Sequence, residues 1–433
     1  MRRVGFAEPQ HVYDRYPHQL SGGMNQRISI AAALSGEPEL LLADEPTSAL
    51  DVSVQKQVLD HMAGLVSETG TSMLFITHDL AVAADRAERV VVLQNGRVRE
   101  AGGVETVLRE QKHGYTRQLL AAAPFLCENG TAEAERPGEG RAPADARPDE
   151  GDRLLDVRNL EKHFTDRNGK GLAAVSGVTL HVGPGETVCV VGESGSGKTT
   201  LARTVLKLTE PDAGSIVFNG YDVAGLKGAA LKQYRREAQM VYQNPFASLD
   251  LRYRVDAILH EPLQIHRIGD RETQRALTRR MLDLVGLPEA FLDRRPGELS
   301  GGQRQRIAIA RALITSPKLL VLDEAVSALD VSVQARILEL LRSIQRELGV
   351  AYLFITHDLS VVKSFSHRVY VMNRGEVMES GETGAIFAAP RHHYTKMLIA
   401  AAPGRLARQK LEDARQAGRI DRRPVRETGL QAR

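Results

Sequence analysis

Apolar positions along the chain gather into short runs of strand length, each ending in charged or glycine-rich residues. Leu319–Leu322 runs straight into Asp323-Glu324, Thr187–Val191 into Gly192, and Phe354-Ile355 into Thr356-His357. Runs apolar at every position, rather than at alternate ones, predict central strands of a parallel sheet covered on both faces. Helical patterns stand between them, over Thr200–Leu208 and from Ser300 through Ile314. The alternation predicts an α/β fold. No apolar run approaches the ~18 residues needed to cross a bilayer.

Much of the pattern occurs twice. Leu20-Ser-Gly-Gly-Met returns as Leu299-Ser-Gly-Gly-Gln, Asp44-Glu45 as Asp323-Glu324, and Phe75-Ile-Thr-His-Asp-Leu as Phe354-Ile-Thr-His-Asp-Leu. Ser21 and Ser300, Asp44 and Asp323, His78 and His357, and Tyr115 and Tyr394 all share an offset of 279. This is a partial tandem repeat, in register from about residue 18 to residue 124. Residues 127–153, rich in Pro, Gly, Ala and acidic side chains without apolar periodicity, predict a flexible linker. Residues 404–433 predict a basic, solvated tail. The expected units are therefore 1–126, a truncated first copy; 127–153, the linker; 154–403, a complete second copy; and 404–433, the tail. Leu154 less the offset falls about 125 positions before Met1, so the first copy lacks that much of its beginning.

Composition narrows the classes. The chain has 433 residues, 42% hydrophobic and 26% charged, enough to bury sizeable cores. A formal net charge of +3 is too slight for nucleic acid to be the main partner. Met1-Arg-Arg-Val-Gly-Phe leads into no apolar segment, so no secretory signal is expected. Two cysteines, Cys127 and Cys189, rule out a disulfide framework or a cysteine metal cluster. Cys189 lies within an apolar run and reads as a core residue.

Candidate chemistry is concentrated in the second copy. Gly192, Glu193, Ser194, Gly195, Ser196, Gly197, Lys198 and Thr199 match the phosphate-loop pattern between a strand and a helix. Glycines let backbone N–H groups turn toward phosphate oxygens at the positive end of a helix. Lys198 is expected to reach the β- and γ-phosphates, Thr199 to ligate Mg²⁺, and Thr200 to follow them at the helix start. Asp323 and Glu324 close a buried strand, where ligands of parallel sheets bind. Asp323 is expected to hold Mg²⁺ through water and Glu324 to polarise the attacking water. His357, at the end of the next strand run, is expected at the γ-phosphate. Ser300 is a natural helix N-cap, followed by Gly301, Gly302 and Gln303 at an anion-favouring helix start.

The order of these pieces resembles the ABC ATPases: phosphate loop, Gln243, the signature Leu299–Gln303, the acid strand, Ser327-Ala-Leu-Asp330, then His357. The resemblance implies a RecA-like P-loop core with an antiparallel β subdomain and a helical subdomain over about 250–298. It implies that Phe164 stacks on adenine and that Gln243 senses Mg²⁺. It also implies composite sites, in which the signature of one nucleotide-binding domain, in cis or in trans, closes over ATP held by another. Tyr242-Gln-Asn-Pro-Phe-Ala-Ser-Leu-Asp, Tyr16-Pro-His-Gln-Leu-Ser-Gly-Gly-Met and the His-Tyr-Thr pattern resemble the dipeptide, oligopeptide and nickel import group, including its fused, glutathione-importing type. Implied partners are transmembrane permease subunits and an extracytoplasmic solute-binding protein, at the cytoplasmic face of the inner membrane. Ala325-Val326 stands where that family usually has Pro-Thr; both carboxylates survive beside it.

The first copy keeps Ser21, Gly22, Gly23, Asp44, Glu45, Asp51 and His78 but has no phosphate loop. One competent site per chain is expected, with Lys198, Asp323, Glu324 and His357 on one side and Ser21, Gly22 and Gly23 on the other. A sheet without its phosphate-loop strand exposes a sticky edge. This points to a start misplaced downstream, or a frameshift, and to a product roughly 14 kDa heavier. Two other classes fit parts of the pattern. A non-transport ABC ATPase of the translation type usually carries Asn-His where this chain has Ser48-Ala49. A degenerate fragment that binds without turnover fits the first copy alone.

Overall fold

The computed structural model describes residues 4, 6, 8–47, 50–121, 153–165, 171–243, 248–327 and 329–409. All of the expected linker but Arg153, together with Cys127, Ser48, Ala49, Ala328 and residues 410–433, lies outside them.

In the first copy a short helix Gln10–Tyr13 and a 3-10 turn Pro17–Gln19 lead into the signature helix Gly22–Leu34, then β1 (Leu40–Asp44), the helix Val52–Thr69 and β2 (Ser72–Ile76), which pairs parallel with β1. After the helix Leu80–Arg86 come β3 (Arg89–Gln94) and β4 (Arg97–Gly103), an antiparallel pair forming a separate two-stranded sheet.

The second copy begins with a four-stranded antiparallel sheet of β5 (Leu155–Thr165), β6 (Gly171–Val182), β8 (Ala213–Phe218) and β9 (Tyr221–Asp222). Its main sheet contains β7 (Thr187–Val191), β10 (Ala238–Val241), β11 (Leu319–Asp323), β12 (Ala351–Thr356), β13 (Arg368–Asn373) and β14 (Glu376–Glu382). The order is β10-β11-β12-β7-β13-β14, parallel except for the last hairpin. The helices Val255–His266, Arg271–Leu284 and Gly301–Leu313 form the helical part.

Period-2 geometry explains the all-apolar strands. Cys189 and Val191 of β7, Leu320 and Leu322 of β11, and Tyr352 and Phe354 of β12 face the core shared with the helical part. Val188, Val190, Leu319, Val321, Leu353 and Ile355 face the opposite core, which the antiparallel sheet and the helix Lys198–Val205 complete. Cys189 is fully buried, as expected, and burial pushes its thiol up to about 12.

The same offset explains the first copy's open face. Leu40, Leu42, Leu74 and Ile76 are 54%, 64%, 54% and 48% exposed. They correspond to Leu319, Val321, Leu353 and Ile355, all in the second core. The elements that cover that face in the second copy, β5 to β8 and the helix Lys198–Val205, have no counterpart among the described residues of the first. In the second copy β7 joins β12 to β13; among the described residues of the first no strand stands in that place, and β1–β2 and β3–β4 are two separate sheets. Leu41 and Ala43, on the other face of β1, are buried in the first copy's own core.

The two copies touch. The helix Gly114–Ala121 of the first packs on Val331–Leu348 of the second. Asp79 and Asp358, each next to its copy's histidine, face one another electrostatically: burial, and then the charge of Asp358, push the Asp79 carboxyl up to about 6. The tail expected from Gly404 onward does not begin as solvated chain. Ala407 is buried among Leu80, Ala81, Ala84, Val104, Leu108 and Leu120 of the first copy, whose apolar cluster draws it in.

Candidate functional site

The site forms where β7 and β11 end. Two glycines of the loop after β7 are required by space. A Cβ on Gly192 would stand 2.1 Å from the Met372 carbonyl oxygen, and one on Gly197 would stand 2.0 Å from that of Ala174. Gly197 also has φ +101°, a conformation natural only to glycine. Ser194 and Gly195 form the open tip and Ser196 is buried. Lys198 begins the helix and folds its ammonium back into the loop, donating to Gly192 O (2.8 Å), Glu193 O (2.7 Å) and Ser196 Oγ (3.3 Å). Burial lowers the Lys198 pKa, against the opposing charges of Glu324, Asp51, Asp323 and Glu193. Asp51 belongs to the first copy, so the two copies meet at this lysine.

Thr199 donates its hydroxyl to Asp323 Oδ1 at 3.2 Å. Burial raises the Asp323 pKa, aided by the charge of Glu324 and opposed by the Thr199 hydrogen bond. Glu324 sits one residue beyond the strand at φ +47°, an uncommon conformation for a non-glycine residue and one concentrated at functional positions. Its backbone N–H donates to Ile355 O (2.9 Å), and its carbonyl accepts the Ser327 hydroxyl (2.9 Å). Its carboxylate gathers the remaining partners: Gln243 Nε2 donates to Oε2 at 2.7 Å, and His357 Nδ1 lies 3.3 Å from Oε1. Burial alone would raise the Glu324 pKa, but the hydrogen bond and charge of His357, with Lys198, hold it below the ordinary value. Burial likewise works to lower His357, but its hydrogen bond and charge pairing with Glu324 outweigh that and raise it.

These shifts fix a pH window. A raised histidine contributes stability in full below its ordinary pKa of 6.5 and loses it as pH rises through the raised value. A lowered glutamate contributes in full above 4.5 and loses it as pH falls through the lowered value. The melting-temperature gap between the wild-type protein and His357→Ala is therefore expected to be widest between 4.5 and 6.5 and to narrow on both sides. A gap independent of pH in thermal melts would remove the ion pair from the account.

The other expected residues are placed as follows. Phe164 is exposed on β5, with the Lys162 ammonium 5.7 Å from its ring centroid. Thr200 accepts the Thr204 hydroxyl on its carbonyl within the phosphate-loop helix. Ser300 caps the signature helix by accepting from the Gln303 N–H, and the Gln303 side chain returns to the Ser300 N–H at 2.9 Å. Gln303 is thus engaged in its own helix cap. Gly301 has ordinary space for a Cβ, whereas a Cβ on Gly302 would meet Val333 Cγ1 at 2.6 Å. The second signature glycine lets its helix lie close on the next one. The first copy repeats this: Ser21 caps through the Met24 N–H, Gly22 faces solvent, and a Cβ on Gly23 would meet Val54 at 2.5 Å. Its pair His78–Glu45 also recurs, at 2.9 Å, but far more exposed than His357–Glu324.

Two contacts escaped the sequence reading. The charge of Asp51 in the first copy acts on Lys198 in the second, and the repeated Ser-Ala-Leu-Asp was the available signal. Tyr394 is buried and accepts the Glu193 N–H on its hydroxyl at 3.2 Å. Two hundred positions separate that pair, and the repeated Tyr-Thr was the only hint.

The loop fits a nucleotide triphosphate with Mg²⁺. It offers a buried ammonium and backbone N–H groups at a helix start, beside a hydroxyl and one carboxylate. That donor set suits Mg²⁺ shared with phosphates rather than an all-protein cage. Fold and site together define an ATPase of the ABC class. The ABC transporter family model matches residues 1–48 and 175–327, and the oligopeptide/dipeptide transporter C-terminal region matches 378–424. The chain is 44% identical over 421 residues to the glutathione import ATP-binding protein GsiA of Pectobacterium atrosepticum, covering 92% of this chain and 67% of that protein. It is 44% identical over 417 residues to GsiA of Escherichia coli K12, covering 93% and 67%. Among solved structures, cbiO1 of Clostridium perfringens, part of the ABC transporter complex cbiONQ, shares 28% identity with a TM-score of 0.50 over 55% of this chain and 91% of that one. The chain belongs to the ABC transporter ATP-binding proteins, on the side of the peptide and glutathione importers. It spans about two thirds of the length of these curated relatives.

Proposed function

We propose that the chain hydrolyses ATP at one composite site and that this drives import of a peptide-type solute, such as a dipeptide, oligopeptide or glutathione. The observation that carries the reading is the convergence on Glu324: Gln243 at 2.7 Å, His357 at 3.3 Å, and the charge of Lys198. In this reading Lys198 and the loop N–H groups bind the phosphates, Phe164 meets the base, and Thr199, Asp323 and Gln243 surround Mg²⁺. Mg²⁺, when bound, neutralises charge on the phosphates. Glu324 orients the attacking water and His357 holds Glu324 and the γ-phosphate. Ser21, Gly22 and Gly23 close the site from the first copy, beside Asp51; Ser300, Gly301, Gly302 and Gln303 are the matching surface for a partner domain. Catalysis of this kind is mostly positioning and charge stabilisation.

The work is passed on through the helical part. A groove there is lined by Arg252, Tyr253, Arg254, Asp256, Glu289 and Asp293, with Tyr253 exposed. It is the proposed seat of a permease subunit at the cytoplasmic face of the membrane, with a solute-binding protein on the far side. The units 1–126, 127–153, 154–403 and 404–433 remain the proposed division, with the start of the last packed on the first. One ATP per chain is the expected stoichiometry when the purified protein traps nucleotide in a turnover-blocked variant. Two per chain, by nucleotide quantification against protein, would overturn the single-site reading.

A further inference from the structure

After the helix His393–Ala400, the chain leaves the second copy and reaches the first. Its two ends are both fastened. At the near end Tyr394 accepts the phosphate-loop Glu193 N–H, and the turn before the helix is fixed by Glu379, which accepts the Arg391 and His392 N–H groups at 2.8 and 3.0 Å. At the far end the chain turns at Gly404, with φ +90°, into a helical turn whose Gly404 and Ala407 N–H groups both donate to the carboxylate of Asp85, at 2.8 and 2.7 Å. That is the hydrogen bonding of a helix N-cap, supplied by a residue over three hundred positions away. Ala407 is buried in the first copy's apolar cluster, while Ala402 is buried in the second copy's core.

The arrangement is one-way. The first copy has the same turn before its helix, with Glu100 accepting the Lys112 and His113 N–H groups. The second copy has no equivalent receptor: Ser364 stands at the position of Asp85 and donates its hydroxyl to Val361 O within its own helix. Tyr115 meets no phosphate loop of its own copy among the described residues.

We propose that residues 393–409 form a strap tying the first copy to the second copy's phosphate loop, with Asp85 as its receptor and Tyr394 as its anchor. The strap keeps the signature-bearing first copy beside the nucleotide. Asp85 and Tyr394 are positioning residues that act through Gly404 and Ala407, and through Glu193. The proposal rests on the composite-site reading above, and its test separates the two.

The test compares Glu324→Gln with the double variants Glu324→Gln/Asp85→Ser and Glu324→Gln/Asp85→Asn. Asp85→Ser installs the second copy's residue; Asp85→Asn keeps an acceptor oxygen. Hydrogen exchange by mass spectrometry reads a peptide spanning Gly404 to Gln409, and nucleotide release is timed after trapping ATP. Asp85→Ser is expected to speed exchange in that peptide and to release trapped ATP about tenfold faster, with Asp85→Asn intermediate in both. Tyr394→Phe, in the otherwise unchanged chain, is expected to raise KM for ATP about threefold with kcat retained. Unchanged exchange in Asp85→Ser would overturn the strap, and faster exchange with unchanged release would overturn its role at the site. Failure of the Glu324→Gln parent to trap ATP would instead count against the composite-site reading, while exchange still decides whether the strap exists.

Discussion

Lys198→Ala is expected to reduce steady-state ATP turnover by about a thousandfold or more, to the background of a phosphate-release assay. Removing a single preorganised donor to developing charge already costs about 10²- to 10³-fold, and Lys198 supplies a full charge. The ammonium is also part of the loop, joined to Gly192 O, Glu193 O and Ser196 Oγ. Its loss takes a donor from each of these three acceptors and removes the cation whose charge acts on Glu324, Asp51 and Asp323. Buried carboxylates deprived of their counter-charge are costly, so a fall in melting temperature should accompany the lost activity. ATP addition should no longer raise the melting temperature, because ligand stabilisation requires binding to the folded state. Near-normal phosphate release from a folded, purified Lys198→Ala chain would refute the site assignment.

How much of this was legible in the sequence depends on whether the cause was local. The strand Leu319–Asp323 reads as doubly buried because every position is apolar, and both cores are there to receive it. The strand Leu40–Asp44 has nearly the same pattern, yet one face is open. Its sequence records what the strand is suited to pack against, and that partner is not supplied by this copy. The splitting of the sheet into two pairs required the strand order, in which β7 lies between β12 and β13. Proximity was legible where a motif carries the residues: Lys198, Thr199, Asp323, Glu324 and His357 lie together at the strand ends. Gln303 could not be assigned by spacing alone, because the same side chain serves either a ligand or a capping box, and here it completes the cap. Asp85 carries no motif at all. Its role depends on where a segment from the far end of the chain comes to rest, a tertiary fact that no local pattern encodes.

Glu324→Gln should separate binding from turnover. The substitution preserves the side chain's length, and the residue keeps its left-handed backbone at φ +47°, so no new strain arises at the strand end. An amide oxygen still accepts from Gln243, and Lys198 stays in its loop. ATP binding is therefore expected to persist while phosphate release falls about a hundredfold or more, within the range for losing a positioned general base. The protein should then accumulate with ATP held between the copies. The same change is expected to lower the titration of His357. Its pKa is raised because the hydrogen bond and charge of Glu324 outweigh burial. With the carboxylate gone, burial and Lys198 act to lower it and only the charge of Asp358 still acts to raise it, so the imidazole should become neutral at a lower pH than in the wild-type protein. Proton NMR of the His357 ring would follow this directly. An unmoved titration would mean that the pair 3.3 Å apart does not govern the histidine, and that the charge network at the β11 and β12 strand ends is held by other groups.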